Sequence, residues 1–316
     1  MLTDLRDRRG PAWFFTGQAG CWCCAATAGY AMYFYGASQS NVPYRDTDKY
    51  EVDTWTSKTD APADARSYAA GASVDAIAYI MGGGSLTATL AENISYVQSS
   101  DTFTTKTAMS AARMYGYGVG IDSYAYHMAG YNSSFTKTQT AYQYSPSGNS
   151  WATKTDMPTP ARTEGAAAAT GGKGYVFGGA DGAAAIADND EYDPSGDSWA
   201  SKTDMPSPAR LGHIGWTIDG IVYSCTGVNL GTYYRTVDYY TPGSDTWSSG
   251  PNISGTARRN GAGTAPGGTS PGYVSGGLQS SGTLLSAHES YTPSTWTART
   301  AMPSPLRQRM SCAESL

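Results

Sequence analysis

Three histidines, five cysteines and one knot of acids are the residues here best suited to chemistry, and their spacing decides what they can do. His127, His213 and His288 lie far apart, and no pair has the close spacing of zinc ligands. Cys21, Cys23 and Cys24 are close in sequence, but on an extended strand only Cys21 and Cys23 share a face. With no second pair, they read as small side chains of a tight strand rather than a metal or redox centre. Asp188, Asp190 and Glu191 crowd into one segment. Glycoside chemistry needs two acids facing one pocket, whereas these three share an outer strand and are expected to face water. No nucleophile elbow, P-loop or dinucleotide fingerprint is present. The expectation is therefore no catalytic residue, no metal ligand and no cofactor.

The elements that would position any site come from a long repeat. Tyr144–Arg162, YSPSGNSWATKTDMPTPAR, recurs almost unchanged as Tyr192–Arg210, YDPSGDSWASKTDMPSPAR, 48 residues on. One aromatic per unit gives Trp55, Phe103, Trp151, Trp199, Trp247 and Trp296, with steps of 48, 48, 48, 48 and 49. After each comes an arginine: Arg66, Arg113, Arg162, Arg210, Arg258 and Arg307. Small pairs stand between them, at Gly82-Gly83, Ala129-Gly130, Gly178-Gly179, Thr226-Gly227 and Gly276-Gly277. A period of this length denotes stacked supersecondary units. Within one unit, RTEGAAAAT, GYVFGG, AIADNDEYD and DSWAS read as four short strands, with DPSGD suited to a type I turn. Prolines in KTDMPSPA stop further pairing. Four short strands bury both faces only when stacked radially, which predicts a β-propeller.

At these residues the chain resembles the kelch-repeat family. Its arginine, its tyrosine-apolar-Gly-Gly strand, its Tyr-Asp-Pro and its tryptophan are matched by Arg162, Tyr175, Gly178, Gly179, Tyr192, Asp193, Pro194 and Trp199. The resemblance implies an all-β, kelch-like propeller over residues 19–306. Six four-stranded blades are expected, with seven as the alternative. Each tryptophan is expected on an outermost strand, wedging blades together. The arginines are expected to tie linker carbonyls or a neighbouring blade. Copper chemistry, as in kelch-like propellers resembling galactose oxidase, would need Tyr and His ligands converging at the axis, and scattered histidines argue against it.

Cys21–Gly36 aligns without gaps onto Glu164–Gly179, so the first unit can supply its own innermost strand. Residues 1–18 are then an extension. Residues 307–316 close the ring beside the first blade, displace residues 21–28 there, or begin a seventh blade. Cys312 falls in the column of Cys24, so a disulfide from Cys312 to the first blade is a further expectation.

Composition narrows the partners. Charged residues are 15% and the net charge is −5, with no Lys/Arg run to bind nucleic acid. No stretch approaches the roughly 20 apolar residues of a membrane span. The N-terminus is charged where a secretory signal is apolar, which points to a virion or the cytoplasm. The connections between second and third strands vary while the linkers do not, and variation on one face of a constant scaffold builds binding surfaces. Tyr131, Phe135, Asn229, Tyr233, Tyr234 and Arg235 are the candidates there. The expected function is a non-enzymatic binding or structural module for another protein or a surface glycan, such as a phage or virion decoration. The alternative is a kelch-like enzyme of sugar or sialic acid metabolism.

Overall fold

The computed structural model describes residues 24–27, 30–37, 43–51, 53–62, 66–85, 87–182, 184–266 and 271–303. The expected extension 1–18, Cys21, Cys23, Arg307 and the segment 307–316 with Cys312 lie outside them. The described residues form a six-bladed β-propeller whose blades span 24–58, 70–106, 117–154, 166–202, 214–250 and 262–299. Each blade is a four-stranded antiparallel meander in chain order, and innermost strands of successive blades lie against one another around the axis. The first blade does supply its own innermost strand, Cys24–Thr27, paired with Tyr30–Ala37.

The fourth blade shows how composition becomes architecture. Its strands are Ala166–Thr170, Lys173–Phe177, Asn189–Asp193 and Ser198–Lys202. The first three are mostly buried on both sides because neighbouring blades cover both faces of the sheet, so they lack the alternation of a half-exposed strand. Alanines suit the innermost strand, where blades crowd together. The fourth strand is the free edge and is largely exposed, with Trp199 and Lys202 as its half-buried exceptions.

A tyrosine and that tryptophan latch the blade to its predecessor. Tyr192 Oη donates to Asp197 Oδ1 at 2.7 Å, the same oxygen accepts Thr155 N–H at 3.0 Å, and Trp199 Nε1 donates to Thr155 O at 3.0 Å. Thr155 belongs to the linker leaving the third blade. Tyr240, Asp245, Thr203 and Trp247 repeat the device one blade on. It also closes the ring. Thr300, after the sixth blade, donates its N–H to Asp53 at 2.8 Å and receives Trp55 Nε1 at 2.9 Å. Six blades therefore close directly upon the first. In the second blade Phe103 has no N–H to give, and the Tyr96–Asp101–Thr59 links remain.

The arginines do something other than expected. Arg162 and Arg210 are fully buried, and each reaches a carboxylate on the third strand of its own blade, Asp190 or Asp238, at 2.6 Å. Arg258 meets Glu289 likewise, and Arg66 meets Glu92. Arg113 instead turns its guanidinium to a linker carbonyl, that of Ala112 at 2.9 Å. The tie to a neighbouring blade runs through the backbone instead, as where Gly179 N–H donates to Arg210 O at 2.9 Å. The second glycine of each pair is explained by close backbone contact inside its own blade. Gly179 has φ of +99°, and a Cβ there would stand 2.5 Å from Thr163 O. At the first position Ala129 and Thr226 take the left-handed conformation that glycine takes elsewhere, with φ of 58° and 64°.

The acid knot needs the same correction. Asp190 and Glu191 do not face water but are 3% and 7% exposed. The third strand is internal, so Asp190 serves Arg162. Glu191 accepts from Tyr175 Oη and Lys173 Nζ, both at 2.8 Å. Asp188 alone is partly exposed, 3.5 Å from Arg162.

Candidate functional site at the axial mouth

Because successive strands reverse direction, linkers and second-to-third connections leave the blades at one end, and hairpin turns at the other. At the linker end the innermost strands of the second to sixth blades are each prolonged by a bridge between the residue after the arginine and the residue after the glycine pair. Examples are Met114 with Tyr131, Thr163 with Ala180, and Leu211 with Val228. The next residue along, two after each arginine, is Tyr68, Tyr115, Glu164, Gly212 or Asn260. All five have φ between 60° and 65°. Their backbones join blade to blade: Tyr115 N–H donates to Tyr68 O, Gly212 N–H to Glu164 O, and Asn260 N–H to Gly212 O. Four non-glycine residues held left-handed around one mouth represent strain of about 1–3 kcal/mol each, a cost that clusters at functional positions.

The side chains there converge beside the third blade. The rings of Tyr68 and Tyr115 stack at 4.0 Å, and Tyr115 meets Tyr131 edge-on at 5.7 Å. Burial raises the Tyr131 phenol pKa, and the nearby Glu164 charge adds to the rise. Lys137, paired across the hairpin with Tyr131, lies 5.9 Å from that ring and donates to Ala180 O at 2.9 Å. Burial lowers the lysine pKa, opposed by the Glu164 and Asp181 charges. Glu164 itself is 2% exposed. The arrangement is an aromatic shelf ending in a lysine and a buried carboxylate. It can stack a flat apolar face and hydrogen-bond polar groups at its rim.

Of the predicted site residues, Tyr131 belongs to this shelf. Phe135 is half-buried at the turn of the same hairpin, at φ of 57°. Asn229, Tyr233, Tyr234 and Arg235 belong to the fifth blade, two blades away. There Val228–Asn229 and Thr232–Tyr233 form a small hairpin with exposed Leu230 at its tip. Arg259 of the sixth blade lies 5.6 Å from the Tyr233 ring. The structure thus divides the six candidates between two loops. Sequence reasoning missed Tyr68, Tyr115, Glu164 and Asn260. Their signal was a position changing from unit to unit immediately beside a constant arginine.

The histidines take no part. His127, His213 and His288 are buried in three blades, and burial pushes each down to about 3, so they are neutral. His213 Nδ1 lies 2.9 Å from Ser224 Oγ, and His288 Nδ1 lies 2.5 Å from Ser275 Oγ. Among the described residues no group of His, Cys, Asp or Glu converges as a metal site.

No known protein family matches the sequence, and no curated protein matches it. The fold is similar to a solved structure titled "Structure of YjhT". The TM-score is 0.74 and the identity 13%, over 89% of this chain and 97% of that one. At that identity the likeness concerns the fold alone.

Proposed function

We propose that this kelch-like propeller is a non-enzymatic binding module, and that its linker end docks a surface glycan or another protein. A phage or virion surface is the setting that its low charge and Gly/Ser/Thr/Tyr-rich composition suit. The observation that carries this reading is the Tyr68–Tyr115–Tyr131 shelf, built where the scaffold stops repeating. Tyrosines offer large, rigid, amphipathic contact area of the kind that dominates recognition. Glu164 favours the second reading, a sugar-processing enzyme, because a buried carboxylate beside a lysine could move a proton.

The test is recovery of the native particle or complex, with its neighbours identified, and a panel of immobilised glycans probed in parallel. Binding of one partner or glycan class by the wild type, and its loss in Tyr131→Ala with unfolding midpoint retained, is expected. Turnover of a sugar substrate, abolished by Glu164→Gln, would replace this reading with the enzymatic one.

A further inference from the structure

The arginine column is broken in the third blade. Arg66, Arg162, Arg210 and Arg258 each have a carboxylate partner. Arg113 is 7% exposed, and its guanidinium meets the Tyr142 hydroxyl at 3.2 Å, the Ala112 carbonyl at 2.9 Å and the Tyr142 ring at 5.6 Å. By the 48-residue offset, Thr140 and Tyr142 stand where the fourth blade has Asp188 and Asp190, so both acids are missing. The second-blade segment touching Arg113, whose Leu90 carbonyl takes the Arg113 N–H, carries Glu92, and that carboxylate is paired with Arg66.

Three nitrogens at this place lack partners. They are Nε of Arg113, an atom unpartnered in the other described arginines of the column too, and both ring nitrogens of His127, which sets this blade apart; His127 has no exposure and lies directly across the strand pair from Tyr142. A buried cation without counter-charge is strongly destabilising. Donors able to hold a counter-ion stand on these neighbouring residues. Tyr142 Oη accepts from Arg113 and keeps its own proton to donate, and a neutral imidazole always retains one N–H. We propose that the third blade binds a small inorganic anion of halide size among Arg113, His127 and Tyr142, standing where the other blades place their own carboxylate. Such a site makes the third blade's stability depend on anions.

Thermal unfolding in halide-free gluconate buffer, with chloride then titrated in, tests this. The wild-type midpoint should rise by several degrees and saturate. Tyr142→Asp, which returns the missing carboxylate to the column, should start higher and stay flat. Parallel responses of the two proteins would overturn the proposal. A crystal of the wild type soaked in bromide gives a second readout that needs no variant. An anomalous peak within hydrogen-bond reach of Arg113 supports the site, and the lack of one rejects it.

Discussion

Asp238→Ala should cost about 3–5 kcal/mol of folding stability, the range for breaking a buried ion pair by removing one partner. Arg210 is fully buried, and its guanidinium meets Asp238 at 2.6 Å and Ser224 Oγ at 3.2 Å. By the repeat offset Thr236 stands where the fourth blade has Asp188, so no second acid can take over. Asp190→Ala should cost less, since Asp188 already lies 3.5 Å from Arg162. Replacing both members of the fifth-blade pair with Met and Leu should recover most of the loss, because the penalty comes from the orphaned charge rather than the missing attraction. Denaturant unfolding of the three variants checks this order, and a loss below about 1 kcal/mol in Asp238→Ala would show that water reaches Arg210 freely.

Trp199→Ala should cost about 3 kcal/mol, the low end of the range for large aromatic truncations, because the ring is half-exposed. The ring packs with Tyr192 of its own blade and with a cluster including Met157 of the preceding linker, so its removal opens the seam between third and fourth blades. It also leaves Thr155 O without the indole donor. Trp199→Phe should keep most of the packing and lose only the hydrogen bond, worth about 1 kcal/mol. Phe103 shows that the scaffold tolerates that replacement. Equal losses in the two variants would mean that the hydrogen bond, and not the wedge, joins the blades.

The ring was legible because its landmarks recur. Trp55, Trp151, Trp199, Trp247 and Trp296 fall on outermost strands as their period requires, and the glycine pairs fall where backbones of adjacent blades nearly touch. The acid partners were not legible, since they do not recur in one form. Asp190 and Asp238 hold one position, Glu289 is its longer counterpart, Glu92 sits two residues earlier, and Tyr142 abandons the charge. A knot such as Asp188–Glu191 looks solvated until the arginine opposite is known to be buried. The mouth residues were hidden for a related reason. Tyr68, Tyr115, Glu164, Gly212 and Asn260 share a backbone conformation but no side-chain type, so a search for sameness passes over them. Tyr131 was found because aromatic side chains on a varying connection are conspicuous in composition alone, while its companions Tyr115 and Tyr68 come from strand entries that looked like scaffold.

The proposed binding face is the linker end of the propeller. Hydrogen exchange of the protein, free and bound to a partner recovered with it, tests this placement residue by residue. Protection should appear at residues 66–68, 113–115 and 131–137, with the hairpin turns at 171–172 and 194–197 unchanged. Protection confined to those turns would place the partner at the opposite end and contradict the account.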